Sequence, residues 1–197
     1  WTFLGNSFYA AGQWALLSLF AKLGGSEMLG QYALAVALTA PVVMLTHLNL
    51  RAVLATDVAR RHPFGDYVAV RLATSALGLV IIIGVAAIGS DSRAVWAAIV
   101  LVGLAQTAET VSDIYHGAMQ RREQMEQIAW SMMARTTVSV AALGIALWMT
   151  HNLVWAVAAL AAARLAVLLA YDLRAGSAGE NLSRSGPGTE LAIFGTA

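Results

Sequence analysis

The chain has 197 residues, of which 59% are hydrophobic and only 12% are Asp, Glu, Lys or Arg. Soluble domains carry about 25% charged residues, so this composition excludes an ordinary water-soluble domain and indicates a chain whose main solvent is lipid. The net charge of +1 gives no basic excess for binding nucleic acid. The lack of cysteine excludes disulfides, thiolate metal sites and cysteine nucleophiles.

Six apolar segments are long enough to cross a bilayer as helices, which takes about 20 residues each. We therefore predict an all-α fold, a polytopic six-helix transmembrane bundle over residues 1–174. In chain order, the predicted spans are about 3–23, 31–50, 68–88, 94–115, 128–150 and 153–173.

The cations fall mostly on one side of this predicted bundle. Cytoplasmic loops of membrane proteins are enriched in Lys and Arg, so we expect both ends of this segment to be cytoplasmic. The loops on the opposite side are short, at 24–26, 89–92 and 151–152. The predicted cytoplasmic cations are Arg51, Arg60, Arg61, Arg71, Arg121, Arg122, Arg174 and Arg184, against Lys22 and Arg93 on the other side.

Residues 175–197 differ in composition from the rest of the chain. They are rich in Gly and Ser and include Pro187, which is typical of a flexible linker. The chain also begins at Trp1 rather than Met and becomes apolar again over 190–197. We expect a portion of a longer protein, in which this cytoplasmic linker is followed by the entry to a seventh helix.

Ionisable residues lie inside three of the predicted helices. A charge at the membrane centre costs about 2.5–3.5 kcal/mol on insertion scales, so such groups are usually paired or face a wet cavity. Glu109 and Arg135 each lie about 10–12 Å from the cytoplasmic ends of their helices, which predicts an ion pair. Arg164 lies deeper, without an acidic neighbour on its own predicted helix. A polar stripe on one face of the fourth span consists of Gln106, Glu109, Thr110 and Asp113.

Two interpretations of these charges remain open. In the first, Arg135 and Arg164 line a central cavity and bind an anionic headgroup, while Glu109 and Asp113 form ion pairs or hold a coupling cation. In the second, the charges form an internal network that only holds the helices together.

A face of the first span is open to the same two interpretations. Asn6, Tyr9 and Gln13 share it with Gly5 and Gly12. Small residues allow close helix packing, and amides can hydrogen-bond across it. If the face lines a cavity instead, Asn6 and Gln13 are candidate substrate-binding residues.

No motif for enzymatic chemistry is present. The four histidines have no metal-binding spacing, and His47, near the end of the second span, is interpreted as an interfacial side chain. Neither a phosphate-binding loop nor a catalytic dyad occurs. We therefore predict no metal, no cofactor and no enzymatic activity. The histidines are His47, His62, His116 and His151.

Three stretches resemble motifs of Wzx-like polysaccharide flippases. Residues 29–57 resemble their G-x-Y-x-L, Pro, L-x-L-R and T-D elements, and 64–71 resemble F-x-x-Y-x-x-x-R. The strongest resemblance is over 109–135, to E-x-x-S-D-I, G-x-x-Q-R and I-A-x-S-x-x-x-R.

The resemblance covers about residues 1–174 and implies membership of the multidrug/oligosaccharidyl-lipid/polysaccharide exporter superfamily, whose members have two six-helix lobes around a central cavity. It implies that this chain is the N-terminal lobe. Its implied activity is flipping an undecaprenyl-diphosphate-linked oligosaccharide, such as an O-antigen unit of lipopolysaccharide, across the bacterial inner membrane by alternating access. The implied partners are this lipid-linked substrate, membrane lipid and a C-terminal lobe. Candidate substrate-binding residues are Asn6, Gln13, Arg51, Arg135 and Arg164.

Two other functions remain open. A drug/cation antiporter of the same superfamily would need an acidic cation site, and the arginines inside the helices argue against it. A non-transporting membrane assembly subunit would tolerate pairwise replacement of its buried charges by apolar residues.

Overall fold

The computed structural model describes residues 1–56, 63–90 and 92–174. Within these ranges all regular secondary structure is helical, which confirms the all-α prediction. The predicted linker 175–197 and three of the predicted cytoplasmic arginines, Arg60, Arg61 and Arg184, lie outside the described residues. The helices are α1 (Thr2–Leu19), α2 (Gly25–Thr46), α3 (Leu50–Thr56), α4 (Phe64–Gly89), α5 (Arg93–Arg121), α6 (Met125–Thr150) and α7 (Leu153–Val167), with π-helical turns at Phe20–Gly24 and Leu168–Asp172.

Five helical runs of the described chain are long and apolar enough to span a membrane, one fewer than predicted. The first run contains both the first and the second predicted spans, because the expected tight loop at 24–26 is helical on both sides of Gly25. The five runs are Phe3–Thr56, Phe64–Gly89, Arg93–Arg121, Met125–Thr150 and Leu153–Asp172.

The first run folds back on itself at Gly25. The rings of Phe20 and Tyr32 stack with their centroids 4.5 Å apart, whereas residues 12 positions apart in a straight α-helix are separated by about 18 Å. Gly25 has φ 79° and ψ 177°, a conformation that suits glycine because it has no Cβ. The chain therefore reverses at Gly25, and the π-helical turn Phe20–Gly24 packs against α2.

The other helix boundaries follow from local signals. Ser92 and Asn152 cap α5 and α7, accepting hydrogen bonds from the backbone N–H groups of Val95 and Val154. The predicted break at 151–152 thus falls between α6 and α7, and the predicted break at 89–92 begins at the last residue of α4. At the far end of α2, Leu48 and Asn49 both have φ 47°, and this left-handed link separates α2 from α3.

Helix α5 is the centre of the packing. It contacts α2, α3, α4 and α7, while α6 lies between α1 and α7. Glycines allow two of the closest approaches. A Cβ on Gly12 of α1 would lie 2.0 Å from Thr136 Cγ2 of α6, and one on Gly103 of α5 would lie 2.8 Å from Ile82 Cγ2 of α4.

Large apolar side chains cover the outside of the bundle. Ile88 is 92% exposed, and Phe3, Trp14 and Met44 are also strongly exposed. In a hydrocarbon solvent, backbone N–H and C=O groups must be hydrogen-bonded within the protein, as they are in helices, and the outer surface must be apolar. The structure is thus that of a membrane protein.

The α1–α6 contact gives a test of this packing. We expect Gly12→Val to destabilise the protein by about 1–3 kcal/mol through overpacking against Thr136, and thus to lower Tm in detergent by roughly 3–10 °C. Gly84→Val is the matched control, because a Cβ at Gly84 meets no atom within 4 Å. Equal Tm values for the two variants would show that α1 and α6 do not pack as described.

Candidate functional site

Glu109 lies between two arginines from neighbouring helices. Its Oε2 accepts a hydrogen bond from Arg164 Nη1 of α7 at 2.8 Å, and its Oε1 lies 3.9 Å from Arg135 Nη1 of α6. Both arginines are buried. The predicted Glu109–Arg135 contact is thus the longer of the two, and Arg164, for which the sequence predicts no carboxylate, has the shorter one. The reason is lateral packing of α7 on α5, which spacing along the chain does not reveal.

The closest carboxylate to Arg135 is Asp172, which the sequence analysis does not single out. Asp172 is fully buried, and its Oδ2 accepts from Arg135 Nη2 at 3.0 Å. Its Oδ1 accepts from the Ser131 hydroxyl. Asp172 is the last residue of the second π-helical turn. Such a turn holds one more residue than an α-helical turn. The extra residue places Asp172 on the same face of the helix as Arg164.

His116 extends the polar stripe of α5 by one more turn. Its side chain is almost fully buried. The Nε2 atom lies 2.9 Å from Ser131 Oγ and 3.5 Å from Asp172 Oδ1. On the other side of the ring, Nδ1 lies 3.7 Å from Asp113 Oδ1. The sequence contained a signal for it, because His116 follows Asp113 by three residues and Glu109 by seven. These are the spacings that define the stripe.

Asp113 contacts polar side chains at the junction of α2 and α3, and together they form a second polar group. Its Oδ2 lies 3.2 Å from His47 Nε2 and its Oδ1 lies 3.8 Å from Arg51 Nη1. Arg51 Nε also donates to Gln120 Oε1 at 3.3 Å. His47, predicted to be an interfacial side chain, therefore contacts a carboxylate. Arg51 belongs to this second group and not to the one around Arg135 and Arg164.

A further arginine is buried between α4 and α5. Arg71 is 1% exposed, and its Nε and Nη2 have no hydrogen-bond partner in the described part of the chain. One turn along α4, the hydroxyl of Ser75 lies 3.5 Å from that of Thr110, a member of the predicted stripe. Arg71 is therefore a core residue rather than a loop cation.

Arg135 and Arg164 line a small polar cavity together with Gln13. The volume open to the centre of a water molecule in this cavity is about 10 Å³, which is enough for roughly one water. Of the other candidate binding residues, Asn6 is exposed on α1 and is not part of this wall. The cavity is lined by Tyr9, Gly12, Gln13, Leu16, Arg135, Thr136, Ser139, Val140 and Arg164.

Three buried polar atoms in the wall of this cavity have no hydrogen-bond partner among the described residues. They are Arg135 Nε, Thr136 Oγ1 and Ser139 Oγ, all from α6. Buried polar groups are normally satisfied, so an unsatisfied set needs an explanation. Unpaired N–H and O–H donors on residues that line a cavity with Arg135 and Arg164 are suited to an anion or to water. In the described ranges no group of three or more His, Asp and Glu side chains is placed to hold a metal ion.

An apolar groove of about 400 Å³ adjoins the polar cavity. It runs between α1 and α6, and it shares Gly12, Thr136 and Val140 with the wall of the cavity. The groove is lined by Phe8, Ala11, Gly12, Ala15, Thr136, Thr137, Val140 and Ala141. Charged and apolar surfaces therefore meet along one seam of the bundle.

Comparison with known proteins finds a similarity to a protein of polysaccharide biosynthesis. The chain is similar to the capsular polysaccharide biosynthesis protein CapF of Staphylococcus aureus, with 24% identity over 152 residues. The matched region is 77% of this chain and 37% of CapF, so the chain spans little more than a third of that relative. No family model matches the chain, and no solved structure matches it.

The Arg135–Asp172 pair gives a second test. We expect Asp172→Ala to destabilise the protein by about 3–5 kcal/mol, because it leaves a buried guanidinium without its closest carboxylate. Replacing both partners, with Arg135→Met and Asp172→Leu, should restore most of this stability. Thermal unfolding in detergent measures both effects, with Glu27→Ala on the exposed start of α2 as control. A single variant as stable as the double variant would contradict the pairing.

Proposed function

We propose that this chain is one lobe of a transporter that flips a lipid-linked oligosaccharide, carried on undecaprenyl diphosphate, across the bacterial inner membrane. The similarity to a capsular polysaccharide biosynthesis protein supports a polysaccharide-related role. The motifs of residues 29–57, 64–71 and 109–135 resemble those of polysaccharide flippases. Movement of the substrate would follow from alternating access of two lobes around the site.

The observation that carries this proposal is the seam where the polar cavity meets the apolar groove. A lipid-linked saccharide has an anionic diphosphate joined to a long hydrocarbon chain, so it needs both kinds of surface side by side. Arg135 and Arg164 supply the charge, and guanidinium groups suit phosphate oxygens. The α1–α6 groove supplies the apolar wall, and its volume of about 400 Å³ lies within the range of ligand pockets.

The cavity is closed around its arginines in this structure. Room for roughly one water does not admit a diphosphate, so binding requires α1 to move away from α6. Gly12 sits at this contact and in both walls. The proposal thus assigns the α1–α6 seam as the surface that opens to the headgroup.

The proposed topology has six crossings with both ends of the chain in the cytoplasm. The first run, Phe3–Thr56, would cross twice because it reverses at Gly25, and α1 and α2 have 18 and 22 residues, close to the length of one crossing each. A second, C-terminal lobe would complete the cavity. That the matched region is 37% of CapF supports a longer protein.

The alternative of a drug/cation antiporter is weaker on the geometry. Glu109, Asp113 and Asp172 each contact an arginine or a histidine, so these carboxylates are already compensated in the described structure. A non-transporting assembly subunit would keep its function when the buried charges are replaced in pairs.

Arg164 gives the decisive test of the anion site. In the full-length protein, we expect Arg164→Ala to abolish surface polysaccharide at a normal protein level, because the headgroup loses one of its two guanidinium partners. Arg93→Ala, at the exposed start of α5, is the control. If the single variant is poorly produced, Arg164→Met combined with Glu109→Gln removes the pair together. Normal polysaccharide output from either well-produced variant would remove Arg164 from the site.

The groove can be tested separately from the charges. We expect Ala11→Trp to fill the groove and to weaken substrate binding at least tenfold, about 1.4 kcal/mol or more, and so to reduce polysaccharide output while leaving both arginines in place. Ala10→Trp adds the same bulk on an exposed position of α1 outside the groove. Equal output from the two variants would show that the groove does not hold the hydrocarbon chain.

A further inference from the structure

A polar contact ties the last part of α2 to α5. His47 Nε2 lies 3.2 Å from Asp113 Oδ2, and both side chains are partly exposed. We refer to residues 41–47 as the α2 end. It begins at Pro41, which lacks the N–H group of a regular helix and so allows the helix to bend there.

Helix α3, which follows the α2 end, is held against α5 by contacts of its own. Leu54 is fully buried in an apolar cluster that contains Ile114 of α5. A Cβ on Gly117 would lie 3.2 Å from the carbonyl oxygen of Arg51, so the two backbones approach closely. Arg51 Nε also donates to Gln120 Oε1 at 3.3 Å. Helix α3 is therefore fixed on α5 independently of the α2 end.

The left-handed link between the α2 end and α3 has a strained backbone. Leu48 and Asn49 both have φ 47°. Asparagine tolerates this region, but a bulky side chain such as leucine is rarely found there. Side-chain packing does not hold Leu48 in place, because it is 54% exposed. Such strain persists only where the surrounding structure imposes it, so release of the α2 end would let the link relax.

Space for a movement of the α2 end lies beside it. A groove of about 1000 Å³ is lined by residues of the α2 end, by the left-handed link and by Gln106 of α5. Its wall includes Met44 and Leu45, both strongly exposed. The α2 end therefore meets little protein on this side.

The register between α4 and α5 can be read from two contacts. A Cβ on Gly103 would meet Ile82, and the hydroxyl of Thr110 lies 3.5 Å from that of Ser75. Facing residues thus advance by seven along α5 as they go back by seven along α4. The two helices are antiparallel neighbours in a regular register.

Continued by one turn, this register places Arg71 of α4 at the level of Asp113, whose charge acts on it. The Nε and Nη2 atoms of Arg71 have no hydrogen-bond partner in the described part of the chain. Water does not replace that partner, because Arg71 is 1% exposed. A buried guanidinium in this condition is unfavourable and is stabilised by contact with a carboxylate.

We propose that Asp113 exchanges partners, from His47 of the α2 end to Arg71 of α4, and that this exchange lets the α2 end swing about the left-handed link into the groove. Before the exchange, Asp113 contacts His47 while the link is strained and Arg71 is unpaired. After it, Arg71 has a carboxylate partner and the link relaxes. Arg51, 3.8 Å from Asp113, stays in place with α3. This motion belongs to the lobe itself and does not depend on the substrate proposed above.

The experiment measures distances between pairs of spin labels in the full-length protein in detergent, by pulsed electron–electron double resonance. The labels are attached at Met44→Cys on the α2 end and Trp130→Cys on α6, both exposed positions. This chain has no cysteine, and any cysteine in the rest of the protein is replaced by alanine. The control pair is Val53→Cys on α3 with Trp130→Cys. We expect two distances for the first pair and one for the control pair.

Two variants should shift the two populations in opposite directions. His47→Ala removes the contact that holds the α2 end, so the ratio of the second distance to the first should rise by about fivefold or more, the effect of losing a partly exposed hydrogen bond. Arg71→Met removes the new partner of Asp113 and should lower that ratio by a similar factor. Added to His47→Ala, it should cancel the rise. His151→Gln, at the exposed end of α6, should keep the wild-type distances.

Arg71→Met should fold normally, because Arg71 Nε and Nη2 have no hydrogen bond to lose. If it is poorly produced, Arg71→Gln removes the same charge. Identical distance distributions in His47→Ala and Arg71→Met would overturn the exchange, as would a rise that persists in the double variant. An equal shift of both label pairs would also overturn it, because α3 would then move with the α2 end. None of these outcomes bears on the proposed function, which is tested by the polysaccharide output of Arg164→Ala.

Discussion

The interaction on which the rest of this structure depends is the compensation of charge inside an apolar bundle. Arg135 and Asp172 meet at 3.0 Å with both side chains buried, and α6 and the end of the α7 run are held together by that contact. In lipid an uncompensated charge is strongly unfavourable, so the position of Asp172 constrains α7 and the positions of Glu109 and Arg164 constrain its packing on α5. The ion pairs therefore constrain the positions of the helices, as do the contacts between their apolar faces.

Close approach of the helices makes this compensation possible. Gly12 and Gly103 remove side chains at the α1–α6 and α4–α5 contacts, where lipid offers no hydrophobic driving force and packing must come from small residues. With the helices this close, short side chains such as Ser131 reach partners on another element. Close packing and polar connection therefore depend on each other, and a bulky residue at Gly12 would disturb both.

Sequence reasoning predicted the helical class and the stripe of α5, because the first depends on local composition and the second on a fixed helical period. It did not predict the contacts that depend on how the helices pack side by side. The partner of Arg164 lies on another helix, and Asp172 is brought inward by a π-helical turn that no local pattern announces. The count of spans differed because the chain reverses at Gly25 within helical structure rather than through a loop. His116 could have been found, since it follows the spacing of the stripe.

The second π-helical turn, Leu168–Asp172, has a consequence for how this sequence can change over time. Each residue of a helix turns the chain by about 100°, so removing one residue from this turn would make it α-helical and swing the Asp172 carboxylate away from Arg135 toward the outer surface. Many replacements of one apolar residue by another here would leave the carboxylate in place. In this short segment, length is therefore under stronger constraint than residue identity, and single-residue insertions and deletions should be rarer than substitutions.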